Sequence, residues 1–173
     1  MVDWDRLVRE HGPLVAGTAW RILGHAADTE DVVQEVFLQA HRLRMSQPVR
    51  SWPALLRRLA ATQSLYRLRQ RKPALPLDGL DLPTPTAEPD EAVQCAELAE
   101  RLRWAVAQLP AREGEVFCLR YFEEMPDQKI AEALDISGGA VRQALFKARA
   151  KLETLLLGDQ ISGERGALAP RGQ

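Results

Sequence analysis

Apolar residues in the first part of the chain recur at helical spacing: Trp4, Leu7, Val8, Leu14, Val15, Ile22 and Leu23, with Gly24 as a stop. No period-two alternation competes with that pattern. A second helix is predicted from about Asp28 and Thr29, whose side chains can cap it. Glu30 and Asp31 suit the positive end of its dipole, and Val32, Val33, Val36, Phe37 and Ala40 form its inner face. A third begins with Ser51 as cap and Pro53 in its first turn. It carries Trp52, Leu55, Leu56, Leu59 and Tyr66 on one side and Arg57, Arg58, Ser64 and Arg71 on the other. Leu65 and Leu68 fit neither side, so this helix is either covered on a second side or deformed near its end.

Residues 73–89 hold Pro73, Pro76, Pro83, Pro85 and Pro89 with small and acidic residues between them. Such spacing blocks both helix propagation and a strand ladder, so the stretch reads as a semi-extended linker. A helix over about 91–108 then turns Cys95, Leu98, Leu102, Ala105 and Val106 inward. Pro110 punctuates before a further helix with Val116, Phe117, Leu119, Tyr121 and Phe122. Beyond Leu157 there are too few apolar residues to pack, and a disordered tail is expected. The pattern as a whole predicts an all-α chain with a small helical domain over 1–72, a linker over 73–90, a second helical domain over 91–157 and a tail over 158–173.

Residues 125–152 read as two short amphipathic helices joined by a tight turn. Ile130, Ala131 and Leu134 face inward from the first, while Val141 and Leu145 bury the second against it. Asp135 stands where positive φ is expected, and Ser137 can cap the second helix. The outward positions are Gly138, Gly139, Arg142, Gln143, Phe146, Lys147 and Arg149, a surface able to meet phosphates and base edges. The same pattern also fits an ordinary helical hairpin with a solvated basic face.

The net charge of -1 is a cancellation between blocks of opposite sign. Arg42, Arg44, Arg50, Arg57, Arg58, Arg67, Arg69, Arg71 and Lys72 occur with no acid among them, and Asp78, Asp81, Glu88, Asp90 and Glu91 follow with no base among them. Cys95 and Cys118 lie far apart with no CxxC pair, and are expected to be buried thiols of a cytoplasmic protein. No apolar run is long enough for a membrane span, and the N-terminus lacks the pattern of a signal peptide. His11, His25 and His41 are scattered, with no HExxH and no P-loop, so no catalytic residue, metal or cofactor is expected.

Two stretches carry a family resemblance. DTEDVVQEVFLQAH, over 28–41, resembles the segment with which bacterial sigma factors engage core RNA polymerase. LPAREGEVFCLRYFEEM, followed by KIAEALDISGGAVRQALFKARAKL, resembles their C-terminal promoter-reading domain. Their order, their separation and the linker between them are those of an extracytoplasmic-function (ECF) sigma factor, the two-domain branch of the sigma-70 family. The resemblance implies sigma region 2 over 1–72 and sigma region 4 over 91–157. It implies core RNA polymerase and promoter DNA as partners, an anti-sigma factor as a further one, and no membrane insertion.

The resemblance also implies roles for particular residues. Asp31, Gln34 and Glu35 match positions that dock on polymerase. The 51–72 segment matches the helix that holds the melted −10 element, with Trp52, Arg57, Arg58, Gln63, Tyr66, Arg67 and Arg69 as its contact residues. Ser137, Arg142, Gln143, Lys147 and Arg149 match positions around the helix that meets the −35 element. The linker would enter the polymerase cleft. Gln63 and Tyr66 stand where the family commonly has Asn and Asp, and the 45–50 loop is shorter than usual. Ala144 and Phe146 stand where Arg and His are frequent, and Lys147 where Arg is, which implies altered upstream recognition. A free-standing helix-turn-helix regulator and a sigma-like protein acting only through protein partners remain the alternatives.

Overall fold

The computed structural model describes residues 3–46, 48–71 and 91–165, with side chains of the last stretch from 92 to 157. Among the described residues there are seven helices and no strand: α1 (Trp4–Leu23), α2 (Ala26–Ser46), α3 (Trp52–Gln70), α4 (Glu91–Ala107), α5 (Ala111–Tyr121), α6 (Asp127–Leu134) and α7 (Gly138–Arg165). The predicted linker over 73–90 and residues 166–173 of the predicted tail lie outside the described residues.

Local chemistry sets most of the boundaries. The Asp3 carboxylate accepts from the Arg6 amide at 3.1 Å and starts α1. Gly24, at φ 61, ends it by donating its own amide to the Trp20 carbonyl, a left-handed stop that glycine takes without steric cost. Only His25 separates this stop from α2, which therefore starts at Ala26, ahead of the predicted Asp28. Asp28 and Thr29 fall inside the first turn and do not cap it. The Thr29 hydroxyl donates to the His25 carbonyl at 2.8 Å, and the Asp28 carboxylate turns towards α3.

Leu65 and Leu68 fit neither predicted side of α3 because the helix is covered on two sides. It packs against α1 and α2 on one flank and against α4, α5 and α6 on another, and both leucines are buried. A single apolar face therefore misassigns two of its residues. Ser64, expected on the polar side, is fully buried, and its hydroxyl has no hydrogen-bond partner among the described residues. Tyr66, expected on the apolar side, is 58% exposed.

In the C-terminal unit, α5, α6 and α4 pack on α7. Asp135 ends α6 at φ 53, and the Ser137 hydroxyl accepts from the Ala140 amide at 3.1 Å to start α7, both as the sequence predicts. Only the C-terminal half of α4 is packed. Ala105 and Val106 are buried, whereas Cys95 and Leu98, expected inside, are exposed because the first turns of α4 project past their neighbours. Of the two thiols expected to be buried, only Cys118 is. Helix α7 continues to Arg165, through the start of the predicted tail; each further residue adds one hydrogen bond to a nucleus already formed.

Candidate nucleic-acid interface

Helix α7 has an inner and an outer face. Val141, Ala144, Leu145, Ala148 and Leu152 are buried, which fixes its rotation against α5 and α6. Arg142, Gln143, Lys147 and Arg149 are exposed on the other side, as predicted, and Phe146 is 74% exposed between them. Ala144, which stands where the family frequently has Arg, belongs to the core. The Ser137 oxygen is used in capping, yet its O–H remains free to donate at the positive end of the α7 dipole. Arg149 is tethered: its Nε donates to the Tyr121 hydroxyl at 2.6 Å, and its guanidinium lies 5.6 Å from that ring's centroid.

The seven predicted −10 residues of α3 do not form one continuous face. Trp52 packs edge-on against Trp4, with ring centroids 6.1 Å apart. Arg57 approaches the Glu123 carboxylate at 3.4 Å, and Arg58 donates to the Ala133 carbonyl at 3.2 Å. Arg69 donates to the carbonyls of Ala107 and Leu109 at 3.2 and 2.7 Å. Gln63 donates to Gln39 of α2 at 2.9 Å. Arg67 donates to Asp28 and Asp31, and Tyr66 is exposed beside it.

Asp31, Gln34 and Glu35 are all exposed on α2. Asp31 and Glu35 line an open cleft of about 440 Å³ together with Val32, Gln63, Tyr66, Arg67 and Gln70. Residues the sequence assigned to two partners, polymerase and single-stranded DNA, thus share one surface. Beneath it, Asp28 binds two arginines. Burial alone would raise its carboxyl pKa, but hydrogen bonds and charge from Arg67 and Arg71 outweigh burial and hold it below the ordinary 3.8. Arg67 is held charged by the same carboxylate.

Sequence reasoning missed a second set of polar residues joining the two helical units. The Glu123 side chain is 2% exposed and pairs with Arg21 of α1 as well as Arg57 of α3. Thr62 donates to Glu115 at 3.0 Å, and Arg103 of α4 donates to the Ile22 carbonyl at 3.2 Å. These partners lie 53 to 102 residues apart, so no short spacing signals them. Among the described residues, no group of three His, Cys, Asp or Glu side chains is placed to hold a metal ion, and no helix is long and apolar enough to cross a membrane.

Comparison with known proteins agrees with this layout. The model of sigma-70 region 2 matches residues 7–73, and that of sigma-70 region 4 matches residues 99–152. The ECF RNA polymerase sigma factor SigE of Mycolicibacterium smegmatis is 28% identical over 90% of this chain, which spans 62% of that relative's length. SigW of Bacillus subtilis is 28% identical over 79% of this chain and 80% of its own. The RNA polymerase sigma factor CnrH of Cupriavidus metallidurans is 33% identical over 90% of this chain and 87% of its own. The solved structure of CnrH in complex with the cytosolic domain of CnrY superposes with a TM-score of 0.58 at 26% identity, covering 90% of this chain and 88% of that one. The chain belongs to the sigma-70 family of RNA polymerase sigma factors, in its ECF branch.

Proposed function

We propose that this chain binds core RNA polymerase and directs promoter-specific transcription initiation, with no catalysis of its own and with the cytoplasm as its place of action. The observation that carries the reading is α7. It is capped by Ser137, locked by Val141, Leu145 and Ala148, and presents Arg142, Gln143, Phe146 and Lys147 to solvent. A helix held on one face and free on the other fits the major groove, where Arg and Lys can meet guanine or phosphate and Gln can pair with adenine. These residues are the proposed −35 contacts, with Ser137 and Arg149 positioned for the DNA backbone.

In the N-terminal unit, Arg57, Arg58 and Arg69 are the proposed contacts to the melted −10 strand, since dense positive charge tracks a phosphate backbone. The cleft supports a different role for Gln63, Tyr66 and Arg67. They adjoin Asp31 and Glu35, and all five are proposed to face polymerase, with Gln34 beside them. Trp52 serves packing against Trp4. CnrH is solved with the cytosolic domain of a protein partner, and an anti-sigma partner is proposed for this chain by that likeness.

Run-off transcription with purified core polymerase tests the reading. Promoters selected from the source genome should yield transcripts that depend on adding this chain, and silence at every one of them would sink the proposal.

A further inference from the structure

Arg149 is fastened to a group that leaves its charge untouched. Elsewhere on the surface Arg6, Arg112 and Lys129 meet Glu10, Glu115 and Glu132, and a carboxylate so placed cancels the field of its cation. Arg149 instead donates through Nε to the Tyr121 hydroxyl, a neutral acceptor, and among the described residues it makes no ion pair. Its side chain is exposed, so the terminal N–H groups of the guanidinium face solvent.

The phenol that holds it has a fixed seat. Tyr121 ends α5, and its ring lies against the buried Phe117 ring with centroids 4.6 Å apart. The Arg149 guanidinium stands 5.6 Å from the Tyr121 centroid, within cation–π reach, while Nε takes the hydroxyl. Two contacts of different kinds thus remove most of the rotamer freedom of a long side chain. Because α5 packs on α7, the aim of Arg149 is set by a second helix and not by its own.

Position along α7 says what it is aimed at. Arg142, Phe146 and Arg149 share one stripe of the helix. A recognition helix reads base edges with its first turns. Arg149 lies about 10 Å further along the axis than Arg142, which approaches the major-groove width of about 12 Å. At that distance it has left the base edges and meets the sugar-phosphate wall.

We propose that Tyr121 is a positioning residue for upstream recognition, aiming Arg149 at one phosphate of the −35 element while leaving the guanidinium charge for that phosphate. The inference rests on the reading of α7 as the −35 helix. Tyr121 acts through Arg149 and not on DNA itself.

Holoenzyme binding to a duplex promoter fragment from the source genome tests this, over a series of salt concentrations. Tyr121→Phe keeps the ring on Phe117 and removes only the acceptor. It should bind about fivefold more weakly, the worth of one hydrogen bond, with an unchanged salt slope. Arg149→Lys keeps the charge but not the Nε donor, and should behave in the same way. Arg149→Ala should lose more and lower the slope by about one. Methylphosphonate is then placed at single upstream phosphates in turn, which removes one charge at a time. At one position the wild type should weaken to the level of the variants, and all four proteins should bind alike. Wild-type affinity in Tyr121→Phe on the unmodified fragment overturns the proposal. So does a deficit of Tyr121→Phe that persists at every modified position, since that marks a structural role of the hydroxyl. Arg142→Ala separates the two readings. If it is weakened while Tyr121→Phe and Arg149→Lys are not, the positioning role alone falls; if none of the variants is weakened, the assignment of α7 falls with it.

Discussion

Arg71 donates to Asp28 Oδ2 at 2.7 Å while Arg67 donates to Oδ1 of the same carboxylate at 2.9 Å, so one acid joins the first turn of α2 to the last turns of α3. The lowered pKa of Asp28 means that the folded chain holds this proton less tightly than the unfolded chain. The stabilisation is therefore fully present above the unfolded value of 3.8 and is lost as pH falls through the lower folded value. Asp28→Asn should cost about 1–3 kcal/mol at neutral pH, since a charge-assisted acceptor is removed while its donors remain partly buried. Urea unfolding midpoints of wild type and variant, followed from pH 7 downwards, should converge below the ordinary carboxylate range. A constant gap at every pH would place the stabilisation elsewhere.

The proposed division of α3 between two partners is separable by measurement. Arg57→Ala with Arg58→Ala should leave affinity for core polymerase near normal and reduce open-complex formation. In the holoenzyme the salt slope of promoter binding should fall by about two, one for each phosphate that is no longer neutralised. Tyr66→Ala should do the reverse, weakening core binding while preserving that slope, because Tyr66 shares its cleft with Asp31 and Glu35. If the arginine pair loses core binding instead, these side chains belong to the polymerase surface.

What the sequence made legible followed local rules. Gly24, Ser51, Asp135 and Ser137 mark helix ends by the chemistry of a single turn, and the structure places each as predicted. The α7 surface was legible for the same reason, since one buried stripe fixes what remains outside. Helix α3 was not, because two sets of helices bury it from different directions, and Gly114 of α5, which packs on Leu65, is nearly fifty residues further along the chain. Ser64 and Tyr66 were exchanged between faces on that account. The acid-free charge of α3 read as a free basic surface, yet Arg58 and Arg69 are spent on helix-end carbonyls. Composition records a charge but not the group it meets.

Phe146 separates two ways of reading the −35 element. At 74% exposure it is the most apolar group on the outer face of α7, with Arg142, Gln143 and Lys147 around it. In the major groove its natural partner is the thymine methyl group, whereas Arg142 meets guanine or phosphate. Arg142→Ala should weaken promoter binding by about 1–3 kcal/mol without disturbing folding, because its side chain is exposed. Phe146→Ala should lose about fourfold, the value of roughly one buried methyl group at about 0.8 kcal/mol. The decisive comparison replaces thymine by deoxyuracil, position by position, in the upstream half of a selected promoter. Wild-type holoenzyme should be weakened at one position by about the same factor, and the Phe146→Ala holoenzyme should be indifferent there. Equal sensitivity of both proteins at every position would remove Phe146 from the reading surface and leave recognition to Arg142, Gln143 and Lys147.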